Sequence, residues 1–318
     1  MIRIERYEKS VEDIYWKCVS DKFDSAEQNS IIMSCINYMP RDFFSRNASF
    51  KELVLAPYEN IKKAYKYIER NKSVMETECF MKSKTGKREK KILYKKLYDT
   101  YEKVSQELID DEVKMNVFLA QQTGLTVCPY CNRDYINYRS KKLAGAQLDH
   151  FYPRSRYPMF SLCLYNLVPV CGICNRIKHD DLQRFASPFD EQIDWENDIK
   201  FSYVPLDMNR KKIIIKAKRP LKHNVKAMHI ETAYQIHEME VNELLDKAEM
   251  YSKTQLEEFR EVLHMVELTE QEIKRMVFGP KITEEIMKKK PLGRMLRDLM
   301  SELGIYKDEI KRSFYEEK

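Results

Sequence analysis

The sequence predicts an α+β protein with a mostly helical N-terminal region over residues 1–120, a compact cysteine-bearing core over 121–185, a β-hairpin extension over 186–222 and a mostly helical C-terminal region over 223–318. Three observations predict it. Apolar residues recur at helical spacing in both outer regions, two C-x-x-C pairs bracket the core, and two apolar runs joined by residues 207–210 mark the hairpin. At 318 residues the chain is longer than one compact core needs, so about two domains, or one with large extensions, are expected.

Hydrophobic residues at 43% and charged residues at 33%, with only 7 Gly and 11 Pro, can bury a core beneath a charged surface, which excludes disordered and fibrous chains. No long uncharged apolar run is present and the start, MIRIERYEKS, is too charged for a signal peptide, so no membrane association and a cytoplasmic location are expected. The excess of 56 Lys and Arg over 50 Asp and Glu leans toward polyanions without deciding for them.

In the N-terminal region, helices are predicted near residues 52–71 and 90–121, with no catalytic constellation. Between and across them lie Lys82, Lys84, Lys87, Arg88, Lys90, Lys91, Lys95 and Lys96, opposed only by Glu89 and Asp99. Such a run either follows a nucleic-acid backbone or forms a solvated loop and helix face.

The core opens on the cysteines. Cys18, Cys35, Cys79 and Cys163 stand alone and read as small buried hydrophobes. Cys128 with Cys131 and Cys171 with Cys174 form two C-x-x-C pairs with 39 residues between them. Each pair can aim two thiolates at one ion, and two pairs complete the tetrahedron of a structural zinc site. A site closed by four cysteines leaves no open position for substrate, so chemistry must come from elsewhere.

Between the pairs, residues 146–151 read as a short strand ending in Asp149 and His150, residues 166–170 as a second strand and residues 172–179 as a helix. In-line attack on a phosphodiester needs an activated water and a cation to neutralise the phosphate. His150 suits the first task, because an imidazole with a pKa of about 6.5 accepts a proton near neutral pH. Asp149 suits the second, because Mg²⁺ prefers oxygen and needs only one or two protein ligands; Asn175 offers another oxygen. Neighbours in a strand point to opposite faces, so Asp149 and His150 share a site only if the strand ends there, as Pro153 suggests.

This order, C-x-x-C, Asp149-His150, Asn166-Leu-Val-Pro and Cys171-x-x-Cys174-Asn175-x-x-Lys178, resembles the HNH endonucleases of the ββα-metal superfamily in the version stapled by four cysteines, over roughly residues 125–182. The resemblance implies a zinc-stapled ββα-metal core with Asp149 as first ligand of a catalytic Mg²⁺ or Mn²⁺ and His150 as general base. It also implies that Asn166 holds the loop and orients the histidine, that Asn175 is a metal ligand as in H-N-N variants, and that Lys178 lies near the phosphate. Asn175 in place of a third histidine favours a hard, oxygen-loving ion.

The family's D-H-I-x-P reads here as Asp149, His150, Phe151, Tyr152, Pro153, followed by Arg154 and Arg156, which either grip phosphate or belong to a solvated loop. The phrase L-D-H-F-x-P-x-S-x-Y-P followed by N-L-V-P-x-C is also similar to HNH proteins that accompany ATPases in bacterial anti-phage systems such as Septu. That similarity implies a defence effector with a regulatory ATPase as partner, since this chain has no P-loop. The expected activity is metal-dependent hydrolysis of nucleic-acid phosphodiesters, DNA ahead of RNA. The alternative is a zinc-stabilised module that binds nucleic acid or a partner without cutting. A zinc deaminase is excluded, since no His-x-Glu precedes the cysteines.

After the core, runs at 199–206 and 211–218 form the predicted hairpin, whose lysines, Lys211 and Lys212 foremost, either contact phosphate or discourage edge pairing. Ile230, Tyr234, Val241, Leu244, Ala248 and Tyr251 then keep to one helical face. Thr269 with Glu272 predicts a capping box, Gly279-Pro280 stops that helix, and a last amphipathic helix follows residues 291–293 and ends near Gly304. His223, His229, His237 and His264 fall in this helical pattern and read as surface or core histidines.

Overall fold

The structure, a computed structural model, describes residues 1–180, 185–207, 210–251 and 269–306, and mixes helices with small antiparallel hairpins. Two compact units divide the chain, Met1–Asp194 and Trp195–Lys318. Among the described residues no helix is long and apolar enough to cross a membrane. His264 lies outside the described residues.

The first unit begins with α1 (Lys9–Ser20), α2 (Ser25–Ile36), α3 (Phe50–Val54), α4 (Tyr58–Arg70) and α5 (Lys72–Cys79). Their apolar spacing explains their burial: on α4, Tyr58, Ile61, Ala64 and Ile68 line one buried stripe while lysines and glutamates face out. Capping boxes start two of them, Asp24 with Glu27 and Ser49 with Glu52. The predicted helix over 52–71 is two helices. Pro57 disfavours helical backbone at the residue before it, so α3 ends at Val54 and α4 restarts at Tyr58.

A hairpin that the sequence reading did not foresee follows, β1 (Phe80–Lys82) with β2 (Arg88–Lys90). The predicted helix over 90–121 is also divided, into α6 (Ile92–Gln106), a second hairpin of β3 (Leu108–Ile109) and β4 (Val113–Lys114), and α7 (Met115–Gln122). Asp110 and Asp111 make that turn with φ of 49° and 57°, a conformation aspartate tolerates better than most residues. Cys35, Cys79 and Cys163 are buried, and Cys18 is half-buried.

Next come β5 (Gln147–His150), β6 (Leu167–Val170) and α8 (Gly172–Lys178), close to the predicted bounds. The strands pair antiparallel with Asp149 opposite Val168 and His150 opposite Leu167. The N-terminal helices form the bed for the connection between them. Tyr15 donates to the Leu162 carbonyl at 3.0 Å, Tyr165 to Glu12 at 2.6 Å and Tyr157 to Glu69 at 2.6 Å.

In the second unit β7 (Ile199–Pro205) pairs with β8 (Lys211–Ala217), followed by α9 (Leu221–Ala227), α10 (Ile230–Tyr234), α11 (Glu238–Met250), α12 (Glu270–Phe278), α13 (Glu284–Lys289) and α14 (Gly293–Glu302). The middle of the β7–β8 turn, residues 208 and 209, lies outside the described residues. Both edges of this two-stranded sheet are closed by side chains. On β8, Gln235 accepts from Ile213 N–H and Glu231 from Ile215 N–H; on β7, Asp298 accepts from Phe201 N–H. Ladder groups that would otherwise pair with another chain are thereby satisfied. The predicted capping box at Thr269 and Glu272 is present, and Gly279 ends that helix at φ 81°.

Candidate metal centre and catalytic cleft

Cys128, Cys131, Cys171 and Cys174 are all buried, and their four Sγ atoms lie within 4.8 Å of one another. Zinc–sulfur bonds of about 2.3 Å place tetrahedral sulfurs about 3.8 Å apart, so the cluster needs little adjustment to hold zinc. Backbone N–H groups already point at the sulfurs: Arg133 at Cys131, Cys171 at Cys128 and Cys174 at Cys171, at 3.3 to 3.4 Å. Asn132, at φ 54°, turns the chain just after the first pair. The other three cysteines, hydrogen-bonded to Cys131, hold its thiol well below the usual range and favour a thiolate there. Four soft donors with no water position suit a structural zinc ion.

Behind this cluster, β5 carries Asp149 and His150 in opposite directions. Asp149 turns inward, where it is 4% exposed. Lys178, on the last turn of α8, donates to both of its oxygens at 3.0 and 2.9 Å and to the His150 carbonyl at 3.2 Å. Tyr130, between the first two cysteines, donates its hydroxyl to Asp149 Oδ2 at 2.8 Å. Burial, then Asp149, push the Tyr130 phenol well up, so it keeps the proton it donates. Lys178 is itself fully buried, and each ion compensates the other's desolvation.

His150 faces the other way. Its Nε2 lies 3.0 Å from the Ser161 carbonyl, and its ring meets Tyr101 edge-on at 4.3 Å. A carbonyl only accepts, so Nε2 carries the proton and Nδ1 is left as the basic nitrogen. Burial lowers its pKa to about 3, below the value near 6.5 on which its choice as a base rested, so in this setting the imidazole is neutral but a weak acceptor. Asn166 lies behind the histidine and is wholly buried. Its amide accepts from Tyr152 N–H at 2.8 Å and donates to the Tyr152 and Phe160 carbonyls at 3.0 Å, tying both ends of the loop after His150.

Asp149 and His150 line one cleft of about 860 Å³ with Gln147, Arg154, Asn175 and Arg176. Asn175 donates to Gln147 at 2.8 Å, which directs its amide nitrogen and leaves Oδ1 as an oxygen donor. Arg154 is committed to the cleft wall: it donates to the Tyr98 carbonyl at 3.0 Å and to Glu102 at 2.6 Å, and its guanidinium lies over the rings of Tyr98 and Tyr101. Arg156 is exposed. Lys211 and Lys212 belong to β8 of the second unit, away in the chain from these residues.

The oxygen set for a second cation is therefore one carboxylate, which already accepts from Lys178 on both oxygens and from Tyr130 on Oδ2, and one amide oxygen. So sparse a set suits Mg²⁺, which retains water, although Lys178 already balances the charge of Asp149. Sequence reasoning missed Tyr130, Tyr98, Tyr101 and Glu102 as parts of this site. Tyr130 had a signal, since it sits inside the first C-x-x-C; the α6 residues come from far along the chain and had none. No protein-family model, curated protein or solved structure matches this chain.

Proposed function

We propose that the first unit is an HNH-type endonuclease that hydrolyses nucleic-acid phosphodiester bonds, DNA ahead of RNA. The observation that carries this reading is a histidine whose Nε2 is fixed by a carbonyl and whose Nδ1 is left as the acceptor, sharing a cleft with a carboxylate, an amide oxygen and two arginines. His150 Nδ1 takes a proton from water as the water oxygen bonds to phosphorus, and the bond from phosphorus to the leaving oxygen breaks as that oxygen departs to be protonated. Asn166 keeps the imidazole aimed by fixing its loop, and Arg154, held on the cleft wall by Glu102 and the Tyr98 carbonyl, would turn from Glu102 to a bound phosphate. Asp149 and Asn175 are the residues that would hold Mg²⁺ or Mn²⁺, which supplies positive charge against the phosphate. The four cysteines would hold zinc as a purely structural ion.

One observation favours a second reading. Asp149 is fully engaged by Lys178 and Tyr130, which suits a module that binds nucleic acid without cutting it. Cleavage of plasmid DNA and of total RNA with Mg²⁺ or Mn²⁺, comparing the wild type with His150→Ala at equal zinc content, separates the two. Cleavage lost only in the variant sustains the nuclease. Cleavage by both proteins removes His150 as the base, and cleavage by neither favours the binding module.

A further inference from the structure

The basic stretch over residues 82–96 folds as the β1–β2 hairpin and the start of α6, inside the same unit as the cleft. We infer that this hairpin is the outer wall of the substrate path, a rigid cationic surface that takes the sugar–phosphate backbone of the nucleic acid and leads it to Arg154, without reading bases. The inference rests on the nuclease reading above and names how its substrate is held.

Register comes first. Phe80 pairs with Lys90 and Lys82 with Arg88, so these four side chains share one face of the pleat while Met81 and Glu89 share the other. Phe80 is buried and roots that face; Lys82, Arg88 and Lys90 project from it. The face runs into the cleft. Lys90 Nζ lies 3.9 Å from the centre of the Tyr98 ring, and the same ring carries the Arg154 guanidinium at 4.3 Å. Tyr98 and Arg154 both line the cleft, so the positive strip is continuous from the hairpin to the site.

The charge on this strip is also unspoken for. Among the described residues Lys82, Lys84, Lys87 and Lys90 make no salt bridge, in a protein whose other surface lysines often do. Arg88 and Arg154 are the exceptions and anchor the two ends: Arg88 forms two 2.8 Å bonds to Glu76 of α5 and lies over Phe80, and Arg154 pairs with Glu102. Burial first, then Arg88 and Arg154, lower the Lys90 pKa against the opposing pull of Asp99 and Asp180, and a phosphate anion beside it would favour its charged form.

Rigidity completes the wall. Gly86 at φ 76° closes the turn, with Gly86 N–H on the Ser83 carbonyl at 2.9 Å and Ser83 N–H on the Lys87 carbonyl at 2.8 Å. Backbone contact rather than base contact follows from the chemistry. Ammonium groups recognise phosphate, and the Tyr98 ring that could stack a base already carries two cations.

The test measures binding apart from cutting. In the His150→Ala background, without divalent metal, the anisotropy of a fluorescein-labelled DNA duplex is titrated at several KCl concentrations. The combined variant Lys82→Ala, Lys84→Ala, Lys87→Ala, Lys90→Ala should bind at least 10-fold more weakly at about 0.1 M salt, with a salt slope flatter by about 2 to 3. A control removing as many lysines from the second unit, Lys212, Lys216, Lys222 and Lys226 to Ala, should change binding little. Unchanged affinity and slope in the hairpin variant, or equal loss in the control, overturns the inference. The two readings fail separately: a wild-type chain that never cuts but whose binding depends on the hairpin sustains the wall and sinks the nuclease, whereas one that cuts with hairpin-independent binding does the reverse.

Discussion

The β5–β6 hairpin of the first unit and the β7–β8 hairpin of the second are each held by a buried ion pair, Asp149 with Lys178 and Asp298 with Arg294. In the second unit every contact closes on structure. Asp298 accepts from Phe201 N–H at the sheet edge, and Arg294 donates to the carbonyls of Trp195, Glu196 and Ile199. In the first unit the carboxylate lies at the wall of a cleft, beside a neutral histidine and an amide oxygen. Buried charge alone therefore does not mark a site. What distinguishes the first pair is that solvent-accessible space and a second kind of chemistry meet it.

The largest expected effect breaks the comparison at its base. Because structural zinc contributes on the order of 10 kcal/mol to small domains, a strong chelator, or Cys174→Ser, should unfold the β5–β6–α8 region. Hydrogen exchange should show protection lost there and kept in β7, β8 and α14. Equal loss in both units would show that the second unit depends on the zinc cluster of the first for its stability.

Single ion-pair changes come next. Lys178→Met and Arg294→Met should each cost about 3 to 5 kcal/mol in denaturant unfolding, the first because it leaves the buried Asp149 carboxylate without its counter-ion, the second because, although Arg297 still pairs with Asp298, it removes a buried guanidinium from three carbonyls. The pairs should then part: adding Asp149→Asn to Lys178→Met should recover much of the loss, whereas Asp298→Asn should not rescue Arg294→Met, which also loses the guanidinium's bonds to three carbonyls. Equal rescue would show that the two networks serve the same purpose.

Asn166→Ala should cost about 2 to 3 kcal/mol, since it leaves Tyr152 and Phe160 backbone groups without their buried partner. Under the nuclease reading, cleavage should fall further than the stability change alone explains. A loss of stability with turnover intact would reduce Asn166 to a loop tie.

The smallest effect lies at the start of α3. Burial pushes the Glu52 carboxyl up, but N–H groups of Ser45 and Ser49 prevail and hold it below its ordinary 4.5. A folded-state pKa below the unfolded one gives stability that is present above pH 4.5 and lost as pH falls through the lower folded value. Glu52→Gln should remove that acid-side dependence and cost under about 1 kcal/mol at neutral pH. An unchanged acid-side profile would show that the capping box does not govern it.

Much of this site was legible because its residues are close in sequence. Paired cysteines, Asp149-His150, Asn166 and the Asn175 to Lys178 spacing announce themselves within about fifty positions, and the strands and helix fall near their expected bounds. The β7–β8 hairpin was legible through its long apolar runs. What escaped notice was short or distant. Strands of two and three residues, as in β1–β2 and β3–β4, have no room for a pattern, although Gly86 and the pair Asp110 and Asp111 marked their turns. Contacts of Asp149 with Tyr130, and of Arg154 with Tyr98, depend on packing that no periodicity encodes. The opposite directions of Asp149 and His150 followed from strand alternation, but which of them turns inward, and the engagement of Asp149 by Lys178 on both oxygens, did not.

One small feature sets the limits of what could be transplanted. The hydroxyl that reaches Asp149 belongs to Tyr130, which is covalently enclosed by Cys128 and Cys131. A graft of residues 147–178 into another scaffold would carry the histidine, the asparagines and the lysine, yet leave the aspartate short of a donor. The smallest portable cassette therefore begins at Cys128, and in the course of evolution the staple and the acid beside it would be inherited, or lost, as a single module.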